Sequence, residues 1–396
     1  MFFVYNNKCR CNTKSMKRMV RMKRIVLLIV SALLLAPQSF AAAYADAAGS
    51  ACLMNAVTGE VVFEKNSGER LPMASTTKIM TLLAALKKTS QDEVVTVSAA
   101  AAATEGSSAY IETGMRITME ALEYGLMLNS GNDAAVAIAE YISGDCGSFA
   151  NEMNKLAKEI GAENTQFMNP NGLDQEGHYT TAYDLALITR YAMRDESFRR
   201  IVSAKIYTAG FVRADGTEGS MEYINHNKLL GTLEGCTGVK TGYTKADGRC
   251  LVSAAQRDGA EYIAVTLNDS NDWNEHRELM ELAFSDCRLI NAVSAGDCLG
   301  HAVSGKSSCD LVAAEDFNVP VNGEGYHNID IVPHIPDMDG VPLNKGEKAG
   351  SAEILCNGRS AGSVDVVAKN DFAAGTRTDI RPCFMFTILT LIKNIL

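Results

Sequence analysis

The segment Met73-Ala74-Ser75-Thr76-Thr77-Lys78-Ile79-Met80-Thr81-Leu82-Leu83-Ala84-Ala85-Leu86 decides how this chain is read. From Ser75 to Leu86 it is apolar at nearly every position after the first turn, which predicts a buried helix. Residues three apart on a helix share a face, so Lys78 reaches the Ser75 hydroxyl. Serine is a weak nucleophile until a base takes its proton. Lysine is such a base only where burial or a nearby cation lowers its pKa, and the apolar residues after Lys78 supply burial. A serine in the first helical turn also sits beside backbone N–H groups that stabilise a developing oxyanion. Alone, this Ser-x-x-Lys spacing is weak, because roughly one arises by chance in a chain of this length. The ordinary alternative is a helix N-cap followed by a solvated lysine.

Two further tripeptides change that balance. Ser130-Gly131-Asn132 interrupts two predicted helices, Thr118 to Leu128 and Asp133 to Tyr141, with turn chemistry. Lys240-Thr241-Gly242 opens a strand-like segment. Each by itself reads as an ordinary turn or bulge. In this order they resemble the Ser-x-x-Lys, Ser-Asp-Asn and Lys-Thr-Gly signature of penicillin-binding proteins and class A β-lactamases, with Ser-Gly-Asn here in place of the Ser-Asp-Asn of class A enzymes. The surroundings narrow the match: Tyr124-Gly125-Leu126-Met127-Leu128-Asn129, Phe167-Met168-Asn169-Pro170-Asn171-Gly172-Leu173, His178-Tyr179-Thr180-Thr181-Ala182-Tyr183-Asp184-Leu185, and Asn225-His226-Asn227-Lys228-Leu229-Leu230 ahead of Gly238-Val239-Lys240-Thr241-Gly242-Tyr243-Thr244. On these residues, Ala51 to Leu267 resembles the low-molecular-mass penicillin-binding proteins of the D-alanyl-D-alanine carboxypeptidase family.

The resemblance implies an α+β, transpeptidase-like catalytic domain followed by a small all-β domain. It implies a serine D-Ala-D-Ala carboxypeptidase that trims the peptidoglycan pentapeptide through an acyl-enzyme, with β-lactams as covalent inhibitors. It carries over Ser75 as nucleophile, Lys78 as its base and Ser130 as proton relay to the leaving amine. Asn132 becomes a substrate hydrogen-bond partner, Lys240 and Thr241 hold the terminal carboxylate, and the Ser75 and Tyr243 backbone N–H groups form the oxyanion hole. A carboxylate does need a fixed cation and a hydroxyl donor. Two other readings stay open. A serine β-lactamase needs a deacylating glutamate, and Phe167 to Tyr179 lacks the Glu-x-x-Leu-Asn pattern. A penicillin sensor acylates without releasing D-alanine, and the intact Ser130 and Lys240 argue against it. His178 and His226 have no Asp-His-Ser order or Gly-x-Ser-x-Gly elbow around them, so they read as supporting or surface residues. Trp273 reads as packing at the site mouth.

Organisation along the chain agrees. Ala51 to Glu64 reads as a hairpin around Thr58-Gly59, and Leu251 to Ala255 and Tyr262 to Leu267 read as strands. Helices lie between, so strands from both ends should close one sheet. From Ala292 to Ile380, short strand-like runs alternate with Gly, Asn, Asp and Pro turns, which predicts a β-rich second domain. The expected boundaries are 1–45, 46–291, 292–380 and 381–396.

The whole chain carries 37 Lys and Arg against 47 Asp and Glu, net −10. Lys8, Arg10, Lys14, Lys17, Arg18, Arg21, Lys23 and Arg24 open it with no acid before Asp46. Subtracting those eight from 37 leaves 29 basic against 47 acidic groups, net −18. A body this acidic repels phosphate backbones, so nucleic acid is excluded as a partner. The basic opening, the apolar run Ile25 to Ala36 and the site Ala43-Tyr44-Ala45 read as a signal peptide, which predicts export to the outer face of the cytoplasmic membrane. The tail Cys383 to Leu396 is apolar except for Thr387, Thr390, Lys393 and Asn394. At 1.5 Å per residue it falls short of a ~30 Å span, so it reads as a helix lying in a membrane surface. Of eleven cysteines, Cys9 and Cys11 precede the signal site; the rest show no Cys-x-x-Cys pair and read as buried thiols. No His-Glu-x-x-His or paired Cys/His pattern marks zinc, so neither cofactor nor metal is expected.

Overall fold

Ala48–Asn55 and Val61–Lys65 pair antiparallel around the expected turn, where Gly59 takes a φ of +73° and the Asn55 side chain accepts from the Val57 and Thr58 N–H groups. The structure, a computed structural model, describes residues 44–323, 327–381 and 383. Ala48–Asn55 carries Ala260–Asp269 on its other edge, with Leu53 opposite Ala264, and Gly248–Arg257 and Cys236–Thr244 follow outward. Strands from both ends of the region therefore share one five-stranded antiparallel sheet. Successive residues of a strand face opposite sides. Cys52 and Met54 accordingly join the helical core, while Ala51 and Leu53 join a second core with Leu279, Met280 and Ala283 of the Asp272–Ser285 helix. Both faces of the three central strands are covered, which is why Ala48–Asn55, Gly248–Arg257 and Ala260–Asp269 are buried on both sides along most of their length.

The Lys78–Lys88 helix runs through the helical core and is buried from Lys78 to Ala85. Met119–Leu128, Asn132–Ser143, Cys146–Ile160 and Ala182–Ala192 surround it. Side chains start several of them: Thr118 accepts from the Ala121 N–H at 3.2 Å, and Thr181 from the Asp184 N–H at 3.0 Å. A four-stranded sheet of Val94–Thr96, Arg116–Thr118, Ile206–Val212 and Glu218–Ile224, and the Glu196–Ser203 and Asp272–Ser285 helices, were not anticipated. The first two strands have three residues each, too few to show a two-residue period.

Cys287–Val293 is a strand paired with Phe317–Asn322, so it runs across the boundary expected at 291/292. A six-stranded sheet containing Ile329–His334, Lys348–Cys356 and Arg359–Ala368 completes the β-rich part, whose own core includes Leu311, Ile354, Val366 and Phe372. Polar contacts tie it to the first hairpin. Asn55 Nδ2 donates to the Pro320 carbonyl at 3.0 Å, and Arg190 donates to the carbonyls of Ala56, Val57 and Ser360 at 2.6–2.8 Å. None of the nine cysteines of the described residues is in a disulfide. No helix among the described residues is long and apolar enough to cross a membrane. Residues 1–43 of the expected signal segment 1–45, and residues 382 and 384–396 of the expected anchor 381–396, lie outside the described residues.

Candidate active site

Ser75 lies in a 3-10 turn, Ala74–Thr77, and the α-helix begins only at Lys78. Ser75 thus sits one tight turn ahead of the helix in which the sequence placed it. Ala74 supplies the reason, since its φ of +47° puts the residue before Ser75 in the left-handed region. Such a conformation persists only where neighbours impose it. Asp247 Oδ2 accepts the Ala74 N–H at 3.0 Å, and Thr77 Oγ1 donates to the Ala74 carbonyl at 2.8 Å. Gly172, at φ +84°, lies so close that an added Cβ would stand 2.0 Å from the Ala74 oxygen. His178 braces Thr77 from below. Its Nδ1 accepts the Met168 N–H at 3.0 Å, so Nε2 carries the proton and donates to Thr77 Oγ1 at 2.8 Å. Burial lowers the His178 pKa to about 4 and keeps the ring neutral.

Lys78 is fully buried, and its Nζ has three neighbours: Ser75 Oγ at 2.9 Å, Asn132 Oδ1 at 2.8 Å and the Asn171 carbonyl. Burial first, and the Lys240 charge second, hold its pKa well below the usual lysine value. A neutral amine has two hydrogens and one lone pair. The Asn132 and Asn171 oxygens are acceptors only, so they take both hydrogens, and the lone pair is left to Ser75. Held this way in its neutral form, Lys78 can take up the Ser75 proton. Among the described residues, no carboxylate is hydrogen-bonded to either side chain.

Ser130 stands in the loop ahead of Asn132–Ser143, at a φ of +59°, and lines the same cleft as Ser75. Asn132 uses its Oδ1 on Lys78 and donates one Nδ2 hydrogen to the Glu105 carbonyl at 2.7 Å, which leaves the other for a ligand. Asp133 accepts from the N–H groups of Ala109 and Ala134 at 2.7–2.8 Å and from Ser108 Oγ at 2.6 Å, clamping the 108–111 segment beside the loop.

Cys236–Thr244 is the edge of the five-stranded sheet, with Lys240 opposite Val252 and Thr241 opposite Leu251. Its outer edge is free to pair with an extended peptide. Gly242 packs against the Ala74–Thr77 turn, where a Cβ would lie 3.1 Å from the Ser75 nitrogen. Lys240 is 2% exposed; its Nζ donates to the Thr241 carbonyl at 2.8 Å, and burial lowers its pKa to about 7. A cleft of about 360 Å³ brings Ser75, Ser130, Thr241 and Tyr243 together with His226 and Trp273. Of the seven sequence-derived site residues, Ser75, Ser130, Thr241 and Tyr243 line this cleft, Lys78 and Asn132 join Ser75 through hydrogen bonds behind it, and Lys240 lies buried next to Thr241. Asp247, Asn171 and Gly172 were not singled out for a role: a carbonyl acceptor at Asn171 and a close backbone approach at Gly172 leave no side-chain signature, and the Asp247 carboxylate meets the Ala74 N–H only through the fold; the Asn-Pro-Asn-Gly turn was the available signal.

With that geometry in hand, the comparisons with known proteins are specific. A family model described as D-alanyl-D-alanine carboxypeptidase matches residues 38–271, and one described as penicillin-binding protein 5, C-terminal domain, matches residues 292–374. The chain is 31% identical to D-alanyl-D-alanine carboxypeptidase DacF of Bacillus subtilis over 89% of its length and 95% of that protein's. Against D-alanyl-D-alanine carboxypeptidase DacC of Escherichia coli the identity is also 31%, covering 83% of this chain and 86% of that one. The crystal structure of the Streptomyces K15 DD-transpeptidase superposes with a TM-score of 0.58 at 34% identity, covering 60% of this chain and 97% of that one. D-alanyl-D-alanine carboxypeptidase DacD from Francisella tularensis gives 0.59 at 27% identity, with 83% and 94% covered.

Proposed function

Because this chain belongs to the D-alanyl-D-alanine carboxypeptidase family, we propose that its reaction runs on Ser75, Lys78 and Ser130, with Asn132, Lys240, Thr241 and Tyr243 holding the substrate. It is a serine-type carboxypeptidase of cell-wall metabolism that acts on peptidoglycan peptides outside the cytoplasm and binds β-lactams. The observation that carries the assignment is the hydrogen count at Lys78 Nζ, which leaves a lone pair facing Ser75 Oγ at 2.9 Å.

The peptide lies along the free edge of Cys236–Thr244 with its terminal carboxylate against Lys240 and the Thr241 hydroxyl. Ser75 Oγ attacks the penultimate D-alanine carbonyl as its proton passes to Lys78. The developing oxyanion is held by the N–H groups of Ser75 and Tyr243. As the amide C–N bond breaks, Ser130 passes a proton to the leaving D-alanine amine, and an ester on Ser75 remains. Water then hydrolyses that ester, freeing Ser75. A β-lactam forms the same ester but keeps its leaving group tethered, which obstructs the water. Intact-mass analysis after penicillin treatment should show one adduct on the native protein and none on Ser75→Ala. D-Alanine release from a pentapeptide ending in D-Ala-D-Ala should vanish in the same variant. An equal adduct on Ser75→Ala overturns the nucleophile assignment.

The domain limits 46–291 and 292–380, the signal segment 1–45 and attachment through 381–396 belong to the same proposal. With the signal removed, the apolar tail supplies the hold on the outer face of the cytoplasmic membrane, at about 0.8 kcal/mol per buried methylene. Asp379–Arg381 is a strand paired with Cys298–Ser304, so the chain should be cut after Arg381 rather than within the strand. That truncation should yield an active enzyme that no longer sediments with membranes, while high salt should leave the intact protein bound. A truncated form that still sediments refutes the anchor.

A further inference from the structure

Glu60, His327 and Cys356 are remote in sequence and meet where the β-rich part abuts the first hairpin. Glu60 is in the hairpin turn, His327 lies just ahead of Ile329–His334, and Cys356 ends Lys348–Cys356, opposite Ile329. One oxygen, one nitrogen and one sulfur from these side chains all lie within 4.8 Å of one another. None of the three lines the Ser75 cleft.

The decisive feature is His327. Its side chain is 8% exposed, yet neither ring nitrogen has a hydrogen-bond partner among the described residues. Buried polar atoms are almost always paired, so an orphaned imidazole facing a carboxylate and a thiol points to a missing ligand. A direct His327–Glu60 ion pair does not answer it. Nδ1 stands 3.8 Å from Glu60 Oε2, about 1 Å beyond a charge-assisted hydrogen bond. The carboxylate is already oriented, because the Asn357 amide donates to Oε1 and leaves Oε2 toward the ring. Such an outer partner is what fixes a metal-bound carboxylate.

Thiol, imidazole and carboxylate together select a zinc-class ion over calcium or magnesium, which prefer oxygen donors. Metal–ligand bonds of about 2.0–2.3 Å in a tetrahedron separate ligand atoms by about 3.3–3.8 Å. The cluster reaches that spacing with side-chain shifts of about 1 Å.

We propose that Glu60, His327 and Cys356 bind a zinc-class divalent ion that fastens the β-rich part to the first hairpin, with water in the fourth position. The Cys356 thiol gives its proton to solvent and binds as thiolate, Glu60 binds as carboxylate and His327 binds neutral. Two negative ligands balance the ion, so the buried site carries no net charge. The serine chemistry takes no part in it.

The test is a cobalt titration of the purified, reduced, chelator-treated full chain. One equivalent of Co²⁺ should bind with the near-ultraviolet absorption of a thiolate–cobalt bond, and Zn²⁺ should displace it. His327→Ala should weaken binding by at least about 100-fold, more than losing an outer partner does. Cys356→Ser should abolish the thiolate band. Zinc should raise the melting temperature of the native chain and not of His327→Ala. Penicillin acylation should be the same in His327→Ala as in the native chain, which shows that the variant is folded. No thiolate band in the native chain, or the same band and affinity in His327→Ala, overturns the site.

Discussion

Replacing Gly172 with alanine should disable Ser75 without touching it. Gly172 holds φ at +84°, and its missing Cβ would lie 2.0 Å from the Ala74 oxygen and 2.5 Å from the Ala74 carbonyl carbon. Real Cβ contacts essentially never fall below 3.0 Å, so the two backbones must part by at least 1.0 Å. A left-handed alanine also carries about 1–3 kcal/mol of backbone strain. Ala74 is itself left-handed and is followed directly by Ser75, the proposed nucleophile, so the displacement falls on the turn that aims Ser75 Oγ at Lys78 Nζ. A misplacement of about 1 Å at a reacting group costs on the order of 100-fold in rate. The second-order rate of acylation by a fluorescent penicillin should therefore fall by about 100-fold, with the melting temperature a few degrees lower. If Gly172→Ala acylates within about threefold of the native rate, the turn does not depend on that contact and the reasoning fails.

Thr77→Val keeps the shape but leaves the Ala74 carbonyl and the His178 Nε2–H unpaired. Unfolding in urea should then show a loss of about 2 kcal/mol, and an unchanged midpoint would contradict the bracing role. Lys240→Arg addresses pH dependence. In the free enzyme the Lys240 ammonium is lost as pH rises through about 7, so kcat/KM for a free-carboxylate peptide should decline above that point. Arginine stays charged, so its alkaline limb should move upward while the acid limb, set by protonation of Lys78, remains. An alkaline limb that does not move would place the titration on another group.

The central sheet, the helical core and the ordered site residues were legible because their signals are local. Thr58-Gly59 names a turn, the run after Lys78 names a buried helix, and three short motifs name one cleft. The short strands at Val94 and Arg116 were not legible, since three residues carry no period and their pairing depends on Ile206–Val212 far downstream. The 3-10 turn at Ser75 was hidden for a similar reason. Nothing in Ala74 announces a positive φ; Asp247, Thr77 and Gly172 impose it from three separate segments. The cluster of Glu60, His327 and Cys356 escaped a search for metal patterns because such patterns are defined by spacing within one segment, and here the spacing exists only in three dimensions.

The burial of Lys240 makes folding itself sensitive to what occupies the cleft. An unfolded lysine titrates at 10.5 and this one at about 7, so the unfolded chain binds more protons between those values. Below pH 7 the native state must hold a desolvated cation, a cost of about 5 kcal/mol for a shift of that size. The cost fades as pH climbs from 7 toward 10.5. In the complex proposed above, a carboxylate seated on Lys240 supplies the missing counter-charge and offsets it at any pH where both groups are ionised. The empty enzyme is therefore the less stable form, most so in acid, and its resistance to unfolding becomes a report of how much of it is engaged with wall peptide.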